Sequence, residues 1–202
     1  MKIICIGRNY AEHAKELNNP LPKEPVIFIK PKSALARTGI PINYPEFTDN
    51  LQYECEVVLR ICKNGRKISQ KHARQYFDQW TVGIDFTARD LQNKLKSEGL
   101  PWEIAKGFDD SAVVGKFVPI DVENLYSSSF SLNLNNQTVQ RGHTSDLIFS
   151  FEKLISHISQ YFTLQIGDLI FTGTPKGVGP VLPYDILEGY LNHEKMFEVE
   201  LR

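Results

Sequence analysis

Residues 53–62 read YECEVVLRIC and form the clearest strand signal in the chain, closed by Asn64-Gly65, a strong turn pair. The side-chain period of two puts Glu54 and Glu56 on one face and Tyr53, Cys55 and Val57 on the other. Val58 shares the glutamates' face and argues against its full exposure. Two like charges about 7 Å apart and partly buried raise each other's pKa or need a counterion. A hard divalent cation is one answer; a solvated edge-strand face is the simpler reading of the pair taken alone.

Outward from this strand the pattern stays mainly β. Ile3–Ile6, Val26–Ile29, Trp80–Phe86, Val113–Ile120, Phe130–Leu134, Thr138–Gln140, Leu169–Phe171 and Lys195–Leu201 read as strands. Asn135-Asn136 supplies a turn between two of them, and the last alternates Phe197, Val199 and Leu201 against Glu198 and Glu200. Short helices are expected at Tyr10–Leu17, Lys71–Phe77 and Ala88–Lys96. The longest is expected at Ser145–Phe162, where Leu147, Phe151, Leu154, Ile155, Ile158 and Phe162 make one apolar face. No regular helix separates successive strands, which argues against a Rossmann-type sheet and for a mixed or antiparallel, mainly β architecture with a few flanking short helices. Many short strands leave edges to protect, which points to a partner subunit.

The 202 residues fit one domain spanning 1–202. Lys and Arg number 23 against 24 Asp and Glu, a net charge of -1. That balance, with no basic stripe interleaved with aromatics, argues against nucleic acid as partner. No apolar run is long enough to span a membrane, and Ile3–Ile6 is too short for a signal h-region. Three cysteines without a framework lead to the expectation of a reduced, cytoplasmic chain.

Asp85 ends the apolar run WTVGID just before a helix signal, where it serves either as a cap or as a site residue. With Glu54 and Glu56 it makes a three-oxygen set suited to Mg²⁺ or Mn²⁺. No Cys/His grouping has zinc spacing. His13 and Glu16 are an i,i+3 pair in which Glu can raise the basicity of His, though a solvated helix face explains them equally. Lys106, in WEIAKGFDDS, reads alone as an exposed loop lysine. The segment from Gly173 to Pro180, GTPKGVGP, lacks the phosphate-loop order, but a glycine-lined loop can hold a carboxylate through its N–H groups.

Taken together these stretches resemble the fumarylacetoacetate hydrolase superfamily, most of all its short acylpyruvate hydrolase and oxaloacetate decarboxylase members. The resemblance rests on IGRNYAEHAKEL near the start, EPVIFIKP at 24–31, YECEV at 53–57, GIDFTARDLQ at 83–92, GLPWEIAKGFD at 99–109, TSDLIFS at 144–150 and GDLIFTGTPKGVGPV at 167–181. It implies a β-roll fold, a homodimer and a metal on Glu54, Glu56 and Asp85. It implies a His13–Glu16 dyad on a mobile lid, with Lys106 beside the metal. Arg8, Lys30, Gly173 and Thr174 fall at substrate-binding positions. Two departures stand out: Gln52 where members often have His, and Tyr184-Asp185 where a Gly- or Asn-Asp turn is usual.

The expected activity is Mg²⁺- or Mn²⁺-dependent cleavage of a C–C bond in a short 2,4-dioxo acid, an acylpyruvate or fumarylpyruvate, giving pyruvate through a metal-stabilised enolate. His13 would activate water, and Lys106 would help to hold the developing charge. The alternatives are oxaloacetate decarboxylation, which makes the same enolate without water, and tautomerisation or isomerisation of a 2-oxo or 2-hydroxy-diene diacid, which only relocates a proton. A non-catalytic metal-binding β-roll comes last, since a dead member would be expected to lose a ligand or the dyad.

Overall fold

The computed structural model describes residues 1–16, 20–37 and 39–202. The chain starts with β1 (Ile3–Gly7), α1 (Ala11–Glu16) and β2 (Val26–Lys30), then β3 (Leu51–Tyr53) and β4 (Cys55–Ile61). After a 3₁₀ segment at Gln70–Tyr76 come β5 (Phe77–Asp85), β6 (Thr87–Ala88), α2 (Arg89–Glu98), α3 (Glu103–Lys106), β7 (Ala112–Val114) and β8 (Val118–Pro119). The last third holds β9 (Ser129–Leu134), β10 (Gln137–His143), α4 (Phe151–Tyr161), β11 (Leu169–Phe171), β12 (Gly179–Pro180), β13 (Ile186–Leu191) and β14 (Glu194–Glu200). The end of the first helix expected at Leu17 lies outside the described residues.

The largest sheet runs β2-β1-β11-β4-β5-β7, with β8 also on β5. Only the β1–β11 pairing in it is parallel. A second, antiparallel sheet runs β10-β9-β13-β14, and a small one β12-β3-β6. The large sheet curls, giving the mainly β, fumarylacetoacetate-hydrolase-like β-roll that the resemblance implies. Both faces of β4 are covered. Val57, Leu59 and Ile61 join the main core with Phe130, Leu132, Leu187 and α4, while Val58 packs with Ile3, Cys5 and Phe171 on the other side. Burial on both faces is why the middle of this strand, Val57–Leu59, is an unbroken apolar run. Gly83 permits the close approach of β5 to β7, since a Cβ there would lie 2.4 Å from the Val113 carbonyl oxygen.

The helix expected over Ser145–Phe162 is shorter. Thr144–Asp146 is one 3₁₀ turn, and α4 begins only at Phe151, capped by Ser150, whose hydroxyl accepts from the Lys153 N–H at 3.2 Å. Asn9 explains the interruption. Its backbone oxygen accepts from Ile148 N–H and its side-chain Oδ1 from Phe149 N–H, so the intervening segment is tied to the chain after β1 instead of to a helical turn. The helix expected at Lys71–Phe77 is a 3₁₀ segment, and the run expected as one strand from Val113 is the two short strands β7 and β8.

Candidate active site

Glu54 stands between strands. β3 pairs with β6 and β12, β4 with β5 and β11, so the chain changes sheets at this residue. Asp85 marks the same change on the neighbouring strand, where β5 ends and β6 begins two residues on. The Asp85 N–H donates to the Glu54 carbonyl at 2.8 Å. Two adjacent strands leaving one sheet for another therefore bring two carboxylates together, and Glu56, one residue into the ladder, adds a third. Ligand oxygens of Glu54, Glu56 and Asp85 lie within 4.8 Å of one another, and all three residues are buried.

Three buried cations answer them. Lys106 Nζ lies 2.9 Å from Glu54 Oε2, 2.8 Å from Asp85 Oδ2 and 2.6 Å from Thr87 Oγ1. Arg89 bonds Glu54 Oε1 through Nη2, Gln52 Oε1 through Nε (2.8 Å) and Gln92 Oε1 through Nη1 (2.7 Å). Lys30 Nζ is 2.7 Å from Asp85 Oδ1. Its protons, however, go to the carbonyls of Phe86, Lys106 and Ser111 and to the Ser111 hydroxyl. Asp85 Oδ1 thus has a charge beside it but no hydrogen bond of good geometry.

Burial alone pushes the Glu54 carboxyl up, but the Lys106 ammonium and Arg89 guanidinium outweigh it and hold the group well below the usual carboxylate range. Glu56 goes the other way. Burial and the Asp85 and Glu54 charges raise it well above that range, against the Gly173 N–H that bonds its Oε2 at 2.7 Å. Lys106 loses by burial but gains more from Asp85 and Glu54, so it stays an ammonium. A hard cation fits this set: it would satisfy the orphaned Asp85 Oδ1 and stabilise Glu56 as a carboxylate.

Around these groups is a cleft lined in part by Arg8, His13, Lys96, Trp102, Lys106 and Thr174. His13 is buried, and its Nδ1 lies 3.2 Å from Glu16 Oε2. A carboxylate only accepts, so Nδ1 carries the proton and Nε2 is left basic. The other Glu16 oxygen accepts from the Gly177 N–H at 2.9 Å, which clasps α1 to the glycine-rich loop. Thr174 Oγ1 accepts from Gln140 Nε2 at 2.9 Å, while Gln140 Oε1 accepts from the Cys55 N–H at 2.8 Å, fixing that loop to β4. Gly173 has φ +104° and meets Asn9 closely.

The structure gathers His13, Glu16, Glu54, Glu56, Asp85, Lys106, Arg8, Gly173 and Thr174 around one site. Lys30 is fully buried and is not on the cleft wall; it is a strut behind Asp85. Arg89, Gln92 and Lys96 are the residues that sequence reasoning missed. The signal was there, since Arg89 and Gln92 lie three residues apart, on one face of the helix expected just after Asp85. Of the two departures, Gln52 holds Arg89 against Glu54, whereas Tyr184 is an exposed turn residue with φ 72°. Larger cavities, about 620 Å³ near Lys32 and Asp110 and about 820 Å³ along Phe47 and Phe108, collect no such group of buried ionisable residues.

The model for the fumarylacetoacetate (FAA) hydrolase C-terminal region matches residues 2–202. The chain belongs to the fumarylacetoacetate hydrolase family. It is 44% identical to the mitochondrial oxaloacetate tautomerase FAHD1 of Arabidopsis thaliana over 207 residues, covering 100% of this chain and 92% of that protein. It is 39% identical to the mitochondrial oxaloacetate decarboxylase of Dictyostelium discoideum over 206 residues, covering 100% and 94%. Among solved structures, a family member from Pseudomonas aeruginosa, fumarylpyruvate hydrolase in complex with Mn²⁺ and pyruvate, superposes with a TM-score of 0.93. The two are 35% identical, and the match covers 100% of this chain and 89% of the other. Family membership and the acidic cluster support metal-assisted catalysis on a small oxo acid and dependence on a divalent metal. The cytoplasmic location expected from the cysteines is corrected by the relatives, which are mitochondrial proteins in plants, animals and Dictyostelium alike.

Proposed function

We propose that the chain interconverts the keto and enol forms of a short 2-oxo diacid of the oxaloacetate type, with decarboxylation of the same substrate as the adjoining activity. The observation that carries this reading is the pairing of a buried base, His13, with a three-carboxylate site in a chain similar along its whole length to an oxaloacetate tautomerase and an oxaloacetate decarboxylase. Bound by Glu54, Glu56 and Asp85, Mg²⁺ or Mn²⁺ would polarise the substrate's 2-oxo group and so acidify the neighbouring C3–H. His13 Nε2 takes the C3 proton; the C–H electron pair becomes the C2–C3 double bond, the C2–O π pair moves onto oxygen, and the imidazolium gives its proton to that oxygen to complete the enol. Glu16 keeps the imidazole in the tautomer this needs and stabilises it once charged. Lys106 supplies positive charge near the developing oxyanion, and Arg89 keeps Glu54 ionised and oriented. Arg8, Thr174 and the Gly173 backbone form the substrate wall, and Lys30 fixes Asp85.

A second reading, hydrolysis of a fumarylpyruvate-type dioxo acid, is supported by the similarity to the Pseudomonas enzyme. There His13 would deprotonate water instead of C3–H. The test is a panel of enol- and keto-oxaloacetate, fumarylpyruvate and acetylpyruvate, assayed with Mg²⁺ on wild type, H13A and E54Q. Rapid keto–enol exchange that falls about 10²–10⁴-fold in H13A is expected. Pyruvate release from fumarylpyruvate with no accelerated tautomerisation would establish the second reading instead.

A further inference from the structure

The cleft contains more positive charge than its own carboxylates answer. Lys30, Lys106 and Arg89 are all taken up by Asp85 and Glu54. Arg8 and Lys96 line the same cleft, and among the described residues neither has an ion-pair partner. Arg8 is held at φ 61°, in the left-handed region that a side-chain-bearing residue rarely adopts. Its neighbour Asn9 fixes it there, donating to the Thr172 carbonyl at 2.8 Å and the Phe149 carbonyl at 3.2 Å. A backbone strained at a cleft and over-determined by its surroundings is a mark of function. Lys96, on the last turn of α2, extends its half-buried side chain over the Trp102 ring, 5.1 Å from the centroid. Burial and the nearby Arg89 and Arg8 charges push it down to about 8, so its charge is placed where the protein alone disfavours it. An anion from outside would relieve that repulsion.

We infer that Lys96 and Arg8 together seat the second carboxylate of the substrate, and that Lys96 thereby sets a preference for 2-oxo acids with a distal carboxylate over those ending in an alkyl group. The inference deepens the proposed function and rests on its reading of the cleft as a 2-oxo acid site. On this assignment the residue is a specificity determinant: it makes no contact with the reacting C2 and C3 atoms.

Malate and lactate share a 2-hydroxy carboxylate head and differ by one distal carboxylate, so they serve as unreactive probes. Calorimetry on the Mg²⁺-loaded protein should show malate binding at least about tenfold more tightly than lactate in wild type, the scale of one charge-assisted contact. K96M should remove most of that ratio, and K96R should restore it. In turnover, the ratio of kcat/KM for oxaloacetate to that for acetylpyruvate should fall in K96M through KM. Equal affinity for the two probes in wild type, no binding of either, or an equal loss for both in K96M would overturn the inference. A malate preference that depends on Lys96, in a protein that turns over neither substrate, would leave the inference standing and defeat the proposed reaction.

Discussion

Lys106 commits its three N–H groups to Glu54, Asp85 and Thr87, so two of its acceptors belong to the candidate metal set. It acts on the site as a fixed charge, and a metal held by these carboxylates would have to share the same oxygens with it. K106M removes that charge and leaves Glu54 and Asp85 short of positive charge in the metal-free protein. The variant should be destabilised without metal by about 3–5 kcal/mol, the usual cost of breaking a buried pair. It should gain more in Tm on adding Mg²⁺ than wild type does. Equal Mg²⁺-induced gains in scanning calorimetry would show that the lysine and the metal do not share these oxygens. Lys96 gives the pH-dependent counterpart. It is faced by Arg89, Arg8 and Lys106, which lower it, and by Glu54, which raises it, below the overriding effect of burial. It is charged below about 8 and neutral above, so the malate preference should decline as pH rises through that value. In K96R, which stays charged, the decline should be absent; titrations at several pH values between 6.5 and 9.5 check this.

At the scale of elements, the site depends on β5 delivering Asp85 beside Glu54, and β5 reaches β7 only because residue 83 lacks a side chain. G83A would place a carbon 2.4 Å from the Val113 oxygen and 2.9 Å from Val58 Cγ2. The expected result is a loss of about 1–3 kcal/mol in urea denaturation, the range for overpacking. A variant as stable as wild type would mean that β7 yields freely. The strands were legible because local period and turn residues specify them: Leu169–Phe171 is found with the expected bounds, and Asn135-Asn136 makes its turn. The expected long helix was not, because Asn9, far away in sequence, claims the backbone of Ile148 and Phe149. The glutamate pair was visible from its spacing, but spacing could not show that both faces of β4 are buried or that the chain changes sheets at Glu54. Lys30 was misplaced for the same reason. Nothing local in EPVIFIKP distinguishes a lysine on a cleft wall from one buried behind Asp85.

The core holds a buried ionic group, with Glu54, Glu56 and Asp85 packed against Lys30, Arg89 and Lys106 between largely apolar sheets. Such sets contribute little net stability and are costly when incomplete. Metal binding should therefore be read directly in folding, since the ion binds the native arrangement and the unfolded chain has no such site. At a hundredfold excess over Kd the gain is about 2.7 kcal/mol, and for a domain of this size that raises Tm by about 5–10 °C. Self-association belongs to the same measurements. The two larger sheets end at β2, β7, β10 and β14, of which β7 and β14 are partly covered by residues 35–36 and 42–44, and the family resemblance implies a homodimer, so sedimentation should give twice the chain mass at micromolar concentration. A fully active monomer would refute that. The sharper comparison is between D85N and wild type. Asp85 is fully buried and touches both Lys30 and Lys106. D85N keeps the shape but removes the charge that both lysines need and one of the three candidate metal ligands. It should lower the metal-free Tm and also abolish the rise on adding Mg²⁺. A D85N protein that loses stability yet keeps the full Mg²⁺ shift would place the metal elsewhere. A wild type whose Tm and activity do not respond to chelator followed by Mg²⁺ would remove the metal from the site altogether.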